Sequence, residues 1–595
     1  MTRREVLSFL LAPRLKLGTV SGVLTTRPRL IEWVDANVPD IELITTKSYQ
    51  VRPNPGNREP ILVEPEAGCF GNAVGLRNPG LEEGLRELQA LRRRRHLRCL
   101  LAVSLSADRV EDFALLARRF AGVADLLELN FSCPHARAGY GSAIGADAGA
   151  VREFVRAIRR STPAPLFAKL TPNVPDIGAI ARAAVEVGAD GISAINTVGP
   201  EVFLEPLSGL PVLSNPNGHK GGKSGEWVRE AAREAVAEIR RAVGPGVPIL
   251  GMGGVATGED ARALRAAGAD VVGIGSAFAR VARQAQIPGY VHALRADALG
   301  GGRVADTFLA RGSKMEYRAL RVTEARDLRP DLRLLRLDGA LGARAGEFAF
   351  LFLPGVGEKP FSIARHSPLS FLVRRRGEFT QALFRLEAGE RLWVRGTYGA
   401  PAPVSPRPQA YLVAGGTGLA VVPGLAAMLR ERGKRVELYY GVSEPEEASA
   451  LEALGIGREL PSLCVPDSGR PARVLEVMAE ELAGAGTAAC RSACFYNVGP
   501  HPFIQRAMTV EEGLGARPGD IFACLETLTM CGVGLCGGCE CGGRLLCKEG
   551  TFVSLEYLRA AGVKLTELDA SASAPAAAGS PRRTTGTPAA ESTAR

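Results

Sequence analysis

Over the first 300 residues, short apolar runs alternate with Ala-, Arg- and Glu-rich stretches of helical periodicity. The runs occupy 43–46, 100–105, 126–130, 166–170, 191–196, 248–251 and 271–275, with an eighth near 15–20. Helical stretches such as 179–187 and 230–243 lie between them. A strand joined to the next through a helix returns parallel to it, because a tight hairpin makes only antiparallel neighbours. Eight such units within about 290 residues predict a closed (β/α)8 barrel, a fold whose chemistry sits at the C-terminal ends of its strands.

The pattern then changes. Residues 315–400 carry short strands with frequent Gly and Pro, for example 348–353 and 391–394, which reads as a small antiparallel β-barrel. Residues 408–510 return to β/α alternation, with apolar runs at 410–414 and 435–440 and a helix over 423–432, which predicts a compact dinucleotide-binding lobe. Six of the 12 cysteines follow between Cys524 and Cys547. From about residue 570 the chain is Ala/Ser/Pro/Thr/Gly-rich without aromatics and is expected to be a disordered tail. The expected fold class is therefore α/β, with domains over 1–305, 315–405, 406–515 and 520–560 and a tail over 570–595.

Composition excludes several classes of function. The net charge of +10 is dispersed, and the Arg92–Arg95 and Arg374–Arg376 runs have no interleaved aromatics, so no nucleic-acid partner is expected. No stretch of 18 apolar residues exists, so no membrane span is expected. Cysteines clustered in a long chain without a secretory leader point to a metal site in a reducing, cytoplasmic compartment.

The predicted strand ends carry an unusual concentration of chemistry. Lys47 follows one, Asn130 and Cys133 another, Lys169 a third, Asn196-Thr197 a fourth, and Gly253-Gly254 and Gly275-Ser276 the last two. Glycines at the last two positions let backbone N–H groups approach a phosphate, which implies a phosphorylated cofactor. Lys47 and Lys169 would place positive charge beside a reduced flavin. Asn72, Asn130 and Asn196 offer paired donors and acceptors suited to an amide-rich ring, and Cys133 is placed to serve as a general base.

These segments resemble the class 1 dihydroorotate dehydrogenases. The resemblance rests on Thr-Thr-Lys-Ser at 45–48, Asn-Ala-Val-Gly-Leu-Arg-Asn-Pro-Gly at 72–80, Glu-Leu-Asn-Phe-Ser-Cys-Pro at 128–134, Lys-Leu-Thr-Pro-Asn at 169–173, Asn196-Thr197, Gly-Gly-Lys-Ser-Gly at 221–225 and Gly-Met-Gly-Gly at 251–254. It implies FMN held by Ser21, Gly22, Gly225, Gly253, Gly254, Gly275 and Ser276. It also implies Cys133 as the base acting on carbon 5 of dihydroorotate, with Asn72, Asn130, Asn196 and Thr197 around the pyrimidine and Lys47 and Lys169 at the flavin. One position departs: His135 stands where the family usually has Asn. Ser-Cys-Pro-His resembles the dihydropyrimidine dehydrogenases, which reduce uracil and thymine, so that substrate class stays open.

In the C-terminal part, Cys531-x4-Cys536-x2-Cys539 followed by Cys547 has the plant-type [2Fe–2S] spacing. A zinc site is the alternative, although zinc favours two short Cys pairs across a longer spacer. Cys541 is a spare thiol within the run. Upstream, Gly415, Gly416, Thr417 and Gly418 form a glycine turn between a strand and a helix, suited to a pyrophosphate. Together with Gly499-Pro500 it resembles the NAD-binding lobe of ferredoxin reductases. Lys359-Pro360-Phe361-Ser362 resembles that family's FAD motif with Lys in place of Arg, and implies FAD contacts from Lys359, Pro360, Ser362 and Thr380. The order of domains resembles the electron-transfer subunit of NAD-linked dihydroorotate dehydrogenases. The expected protein oxidises dihydroorotate with NAD+ through FMN, [2Fe–2S] and FAD, and forms a homodimer through its barrel. The other readings are a uracil or thymine reductase, or an electron-transfer adaptor for another partner.

Overall fold

The computed structural model describes residues 1–131, 142–467, 472–484, 487–566 and 568. Cys133, His135 and the tail over 570–595 lie outside the described residues. The first 300 residues form the expected barrel. Its strands are β1 (Leu17–Thr19), β2 (Ile41–Thr45), β3 (Leu100–Leu105), β4 (Leu126–Asn130), β5 (Leu166–Lys169), β6 (Gly191–Ala194), β7 (Ile249–Met252) and β8 (Val271–Ile274). All pair in parallel, and β1 closes the ring between β8 and β2.

Strand alternation sorts the side chains. In β4, Leu127 and Leu129 pack outward in the core shared with the helices, whereas Leu126 joins the inner core with Leu43, Leu100, Phe167 and Leu250. Glu128 and Asn130 are on the same face as Leu126, so the strand carries polar groups up the inside of the barrel toward its C-terminal mouth. The opposite end is plugged by Val6 and Leu10 of the helix Arg3–Leu11, which starts with a Thr2/Glu5 capping box.

A four-stranded antiparallel sheet made of Leu62–Glu66, Cys69–Asn72, Lys220–Gly225 and Val198–Val202 accompanies the barrel, and pairs Asn72 with Gly222. The sequence pattern did not predict it, because its strands come from insertions about 150 residues apart. Beyond the barrel lies a seven-stranded antiparallel sheet, from Gly357–Ser362 at one edge to Arg365–His366 at the other. Its buried side chains, among them Val322, Leu337, Leu351 and Phe371, form a separate core.

The next unit is a six-stranded sheet in which Gln409–Gly415 lies between Arg435–Val442 and Ala493–Val498. The boundary expected at 515–520 falls inside this sheet. Ile521–Cys524 adds a parallel strand to Ala493–Val498, and Phe552–Ser554 closes the edge antiparallel. The cysteine segment is thus a loop held at both ends by the lobe's own sheet. No helix among the described residues is long and apolar enough to cross a membrane.

Candidate active site

The barrel mouth encloses a cavity of about 240 Å3. Ser21, Gly22, Lys47, Asn72, Asn130, Lys169, Asn196, Thr197, Gly225, Gly253, Gly254, Gly275 and Ser276 all line it. Every barrel residue singled out from the sequence that lies within the described residues therefore reaches one space. Gly254 illustrates the constraint. Its φ is +73°, and a Cβ there would stand 2.8 Å from the Arg229 backbone, so this wall admits only bare backbone.

Beneath the cavity runs a buried polar chain. Asn196 Nδ2 donates to Asn130 Oδ1 at 3.3 Å, and Asn130 Nδ2 donates to Ser48 Oγ at 3.2 Å. Ser48 and Ser104 share a hydrogen bond of 2.9 Å, and Ser104 Oγ donates to Glu128 Oε1 at 3.0 Å. Lys169 Nζ lies 3.5 Å from the same oxygen, and Glu128 is fully buried. Such a carboxylate is tolerable only when paired. It orients Lys169 from below and, through the two serines, the Asn130 amide. Sequence reasoning quoted Glu128 within a motif and gave it no role. An acid on the inward face of an apolar strand was the signal available. On the other wall, Asn72 Nδ2 donates to the Gly222 carbonyl at 3.2 Å, so the accessory sheet positions it.

Cys531, Leu535 and Cys536 complete the cavity lining from the far end of the chain. They approach the barrel closely: a Cβ on Gly537 would overlap Thr26 Oγ1 at 1.8 Å. The segment is fastened by Gln284, whose amide donates to the Gly543 carbonyl at 2.8 Å and accepts from Leu545 N at 2.7 Å. Buried Lys548 donates to the carbonyls of Ala279 and Val281, and Arg283 pairs with Glu549 at 2.9 Å.

The four candidate ligands gather in one group: Cys536 N lies 3.5 Å from Cys531 Sγ, Cys547 N lies 3.5 Å from Cys539 Sγ, and the Cys547 thiol meets those of both Cys531 and Cys539. Cys531 also hydrogen-bonds the thiols of Cys536 and Cys547, which hold it well below the usual thiol range, while the same contacts push Cys536 and Cys547 up. One thiolate is thus favoured and further ones are resisted until a cation compensates them. Among the described residues no three His, Cys, Asp or Glu side chains stand as ligands of a single ion. Cys541 is buried, and burial pushes its thiol up to about 12, so it stays protonated.

The family model for dihydroorotate dehydrogenase matches residues 16–287. The catalytic subunit of dihydroorotate dehydrogenase B (NAD(+)) from Methanocaldococcus jannaschii is 39% identical over 234 residues, covering 39% of this chain and 74% of that protein. The subunit of the same name from Pyrococcus abyssi is 39% identical over 257 residues, covering 43% and 81%. That from Alkaliphilus metalliredigens is 37% identical over 262 residues, covering 44% and 82%.

The chain belongs to the dihydroorotate dehydrogenase family.

Its barrel is accordingly an oxidoreductase domain, and the family implies FMN as its flavin. The family-model match ends at residue 287, and a second cavity, of about 450 Å3, lies beyond the barrel. Lys359, Pro360, Ser362, Thr417 and Gly418 line that cavity, together with Glu59, His366, Arg376 and residues 524–529. Gly415 ends the preceding strand, Gly416 opens the 3-10 turn that follows, and neither is part of its wall. Gly418 needs its missing side chain, since a Cβ would sit 2.5 Å from the Val498 carbonyl oxygen. This crevice opens where neighbouring parallel strands diverge, the usual nucleotide position in such sheets.

Thr380 lies outside the cavity wall. Its hydroxyl accepts from Arg376 N and Gly377 N at 2.8 and 3.0 Å and caps the helix Glu378–Leu383. The Lys359 ammonium pairs with Glu59 Oε2 at 2.9 Å. Glu59, contributed by the barrel, had no local signal in the sequence.

Proposed function

We propose that this chain is a self-contained NAD-linked dihydroorotate dehydrogenase, in which the barrel oxidises dihydroorotate to orotate and the C-terminal half hands the electrons to NAD+. The observation that carries this reading is the path of one segment. Residues 524–529 line the second cavity, and Cys531, Leu535 and Cys536 line the first. The relatives matched by the barrel are named catalytic subunits, whereas here residues 288–595 continue in the same polypeptide.

The residues present fit the groups this function requires. The spacing of Cys531, Cys536, Cys539 and Cys547 suits a [2Fe–2S] cluster better than a zinc site, which favours two short Cys pairs across a longer spacer. Ser21, Gly22, Gly225, Gly253, Gly254, Gly275 and Ser276 would hold FMN. Lys359, Pro360 and Ser362 would hold FAD, and the crevice behind Gly415, Gly416, Thr417 and Gly418 would take NAD+. When bound, FMN supplies hydride acceptance, the cluster single-electron transfer and FAD the return to a hydride for NAD+.

The protein's own groups do the rest. Asn72, Asn130, Asn196, Thr197 and His135 recognise the pyrimidine. Lys47 and Lys169 bring positive charge to where negative charge develops, and buried Glu128 fixes Lys169. Cys133 accepts the proton from carbon 5. The protein works in the cytoplasm as a homodimer formed through the barrel. A uracil or thymine reductase would share this architecture and draws support from His135, but the names of the relatives favour dihydroorotate. Cofactor extraction and iron analysis, followed by anaerobic NAD+ reduction with dihydroorotate beside dihydrouracil, test the proposal. One FMN, one FAD and two irons per chain with turnover of dihydroorotate are expected. Zinc, a single flavin type or turnover of dihydrouracil alone would refute it.

A further inference from the structure

Three cations from different parts of the chain stand around the cysteine segment, and they are differently committed. Arg395 Nη1 reaches the Cys531 carbonyl at 3.2 Å, but Glu358 already neutralises it through bonds of 2.6 and 2.8 Å. Lys548 is spent on the carbonyls of Ala279 and Val281. Arg77 comes from the barrel and is half-buried. Its guanidinium donates a hydrogen bond to the soft sulfur of Met530, at 3.0 Å. Burial disfavours its charge, and its titratable neighbours are Cys536, Arg27 and Glu59, the last itself paired with Lys359. Its Cβ packs against Gly56, where an added side chain would clash at 2.8 Å, so the start of the side chain is fixed against the backbone. A guanidinium placed in this way is poorly compensated until an anion occupies the space among the cysteines.

We infer that Arg77 is the barrel's counter-charge to the iron–sulfur cluster, a positioning residue that raises the cluster's reduction potential and so favours electron flow out of the barrel. This rests on the [2Fe–2S] reading above. Adding an electron makes a cluster with four thiolate ligands more negative, so a cation seated on Met530, the neighbour of Cys531, stabilises the reduced form more than the oxidised form. The residue thereby ties the redox property of one domain to the presence of the other.

The test is a redox titration of the full-length holoenzyme followed by the electron paramagnetic resonance of the reduced cluster, with iron content measured on each sample. In Arg77→Gln the equilibrium for cluster reduction should fall about tenfold, a lowering of about 59 mV for one electron. Arg77→Lys keeps the charge and should stay near wild type. A Gln variant with unchanged potential overturns the inference while leaving the cluster reading intact. A Lys variant shifted as far as the Gln variant also overturns it, because charge is then not the agent. If Arg77→Gln loses iron, the Lys variant alone decides, by whether its potential matches wild type. Absence of a two-iron signal in wild type sinks the underlying cluster reading.

Discussion

Removing the Arg395 side chain should unfasten the cysteine segment from the antiparallel sheet that supports it. Arg395 and Glu358 are both fully buried and form a forked pair with bonds of 2.6 and 2.8 Å. The guanidinium also lies 3.9 Å from the Phe350 ring centroid, bonds Tyr398 Oη at 2.5 Å and reaches the Cys531 carbonyl. In Arg395→Met the Glu358 carboxylate would keep only the Tyr317 hydroxyl, at 2.7 Å, while remaining out of water. Breaking a buried pair from one side costs about 3–5 kcal/mol, whereas replacing both partners by apolar groups is often close to neutral. The double variant Arg395→Met/Glu358→Leu should therefore recover most of the loss. Because the chain has several units, the quantity to compare is the urea midpoint of the transition that releases flavin and alters Trp393 fluorescence. A single variant with a wild-type midpoint, or a double variant no better than the single, would refute the reasoning.

Two further outcomes follow from the C-terminal half. Burial pushes Glu511 up to about 8, against a small opposing effect from the Asn497 amide at 2.9 Å. Its folded value exceeds its unfolded value, so its contribution is fully present below about pH 4.5 and is lost as pH rises through about 8. The lobe should lose roughly 1.4 kcal/mol per pH unit between those limits. Glu511→Gln should flatten that slope in denaturation measured at pH 6 and pH 9, and an unchanged slope would contradict the assignment. Glu59→Gln frees Lys359 for an anionic ligand, so FAD should be retained better through gel filtration at high salt. Poorer retention would show that Glu59 supports the site instead of competing for its cation.

Much of the architecture was legible because it is written locally. The edges of β3 and β4 fall where the apolar runs begin and end, and Asn130 and Lys169 reach one cavity because they occupy the same position at successive strand ends. Cysteine spacing within one loop was equally readable. What escaped depends on pairings far apart in sequence. The accessory sheet joins residues 69–72 to 222–225, and Glu59 meets Lys359 across 300 residues. Gln284 meets Gly543 and Leu545 in the same way. The capping role of Thr380 was equally hidden, because a Thr beside a glycine-led helix start reads as a ligand contact or a cap until the geometry is known.

The central claim is that the barrel and the C-terminal half form one wire through the cysteine segment. Anaerobic stopped-flow of Cys536→Ser with dihydroorotate and NAD+, recording flavin bleaching and NADH formation separately, tests it most directly. The account predicts that the barrel flavin bleaches at close to the wild-type rate while NADH formation collapses. NADH formation at the wild-type rate in this variant would contradict it.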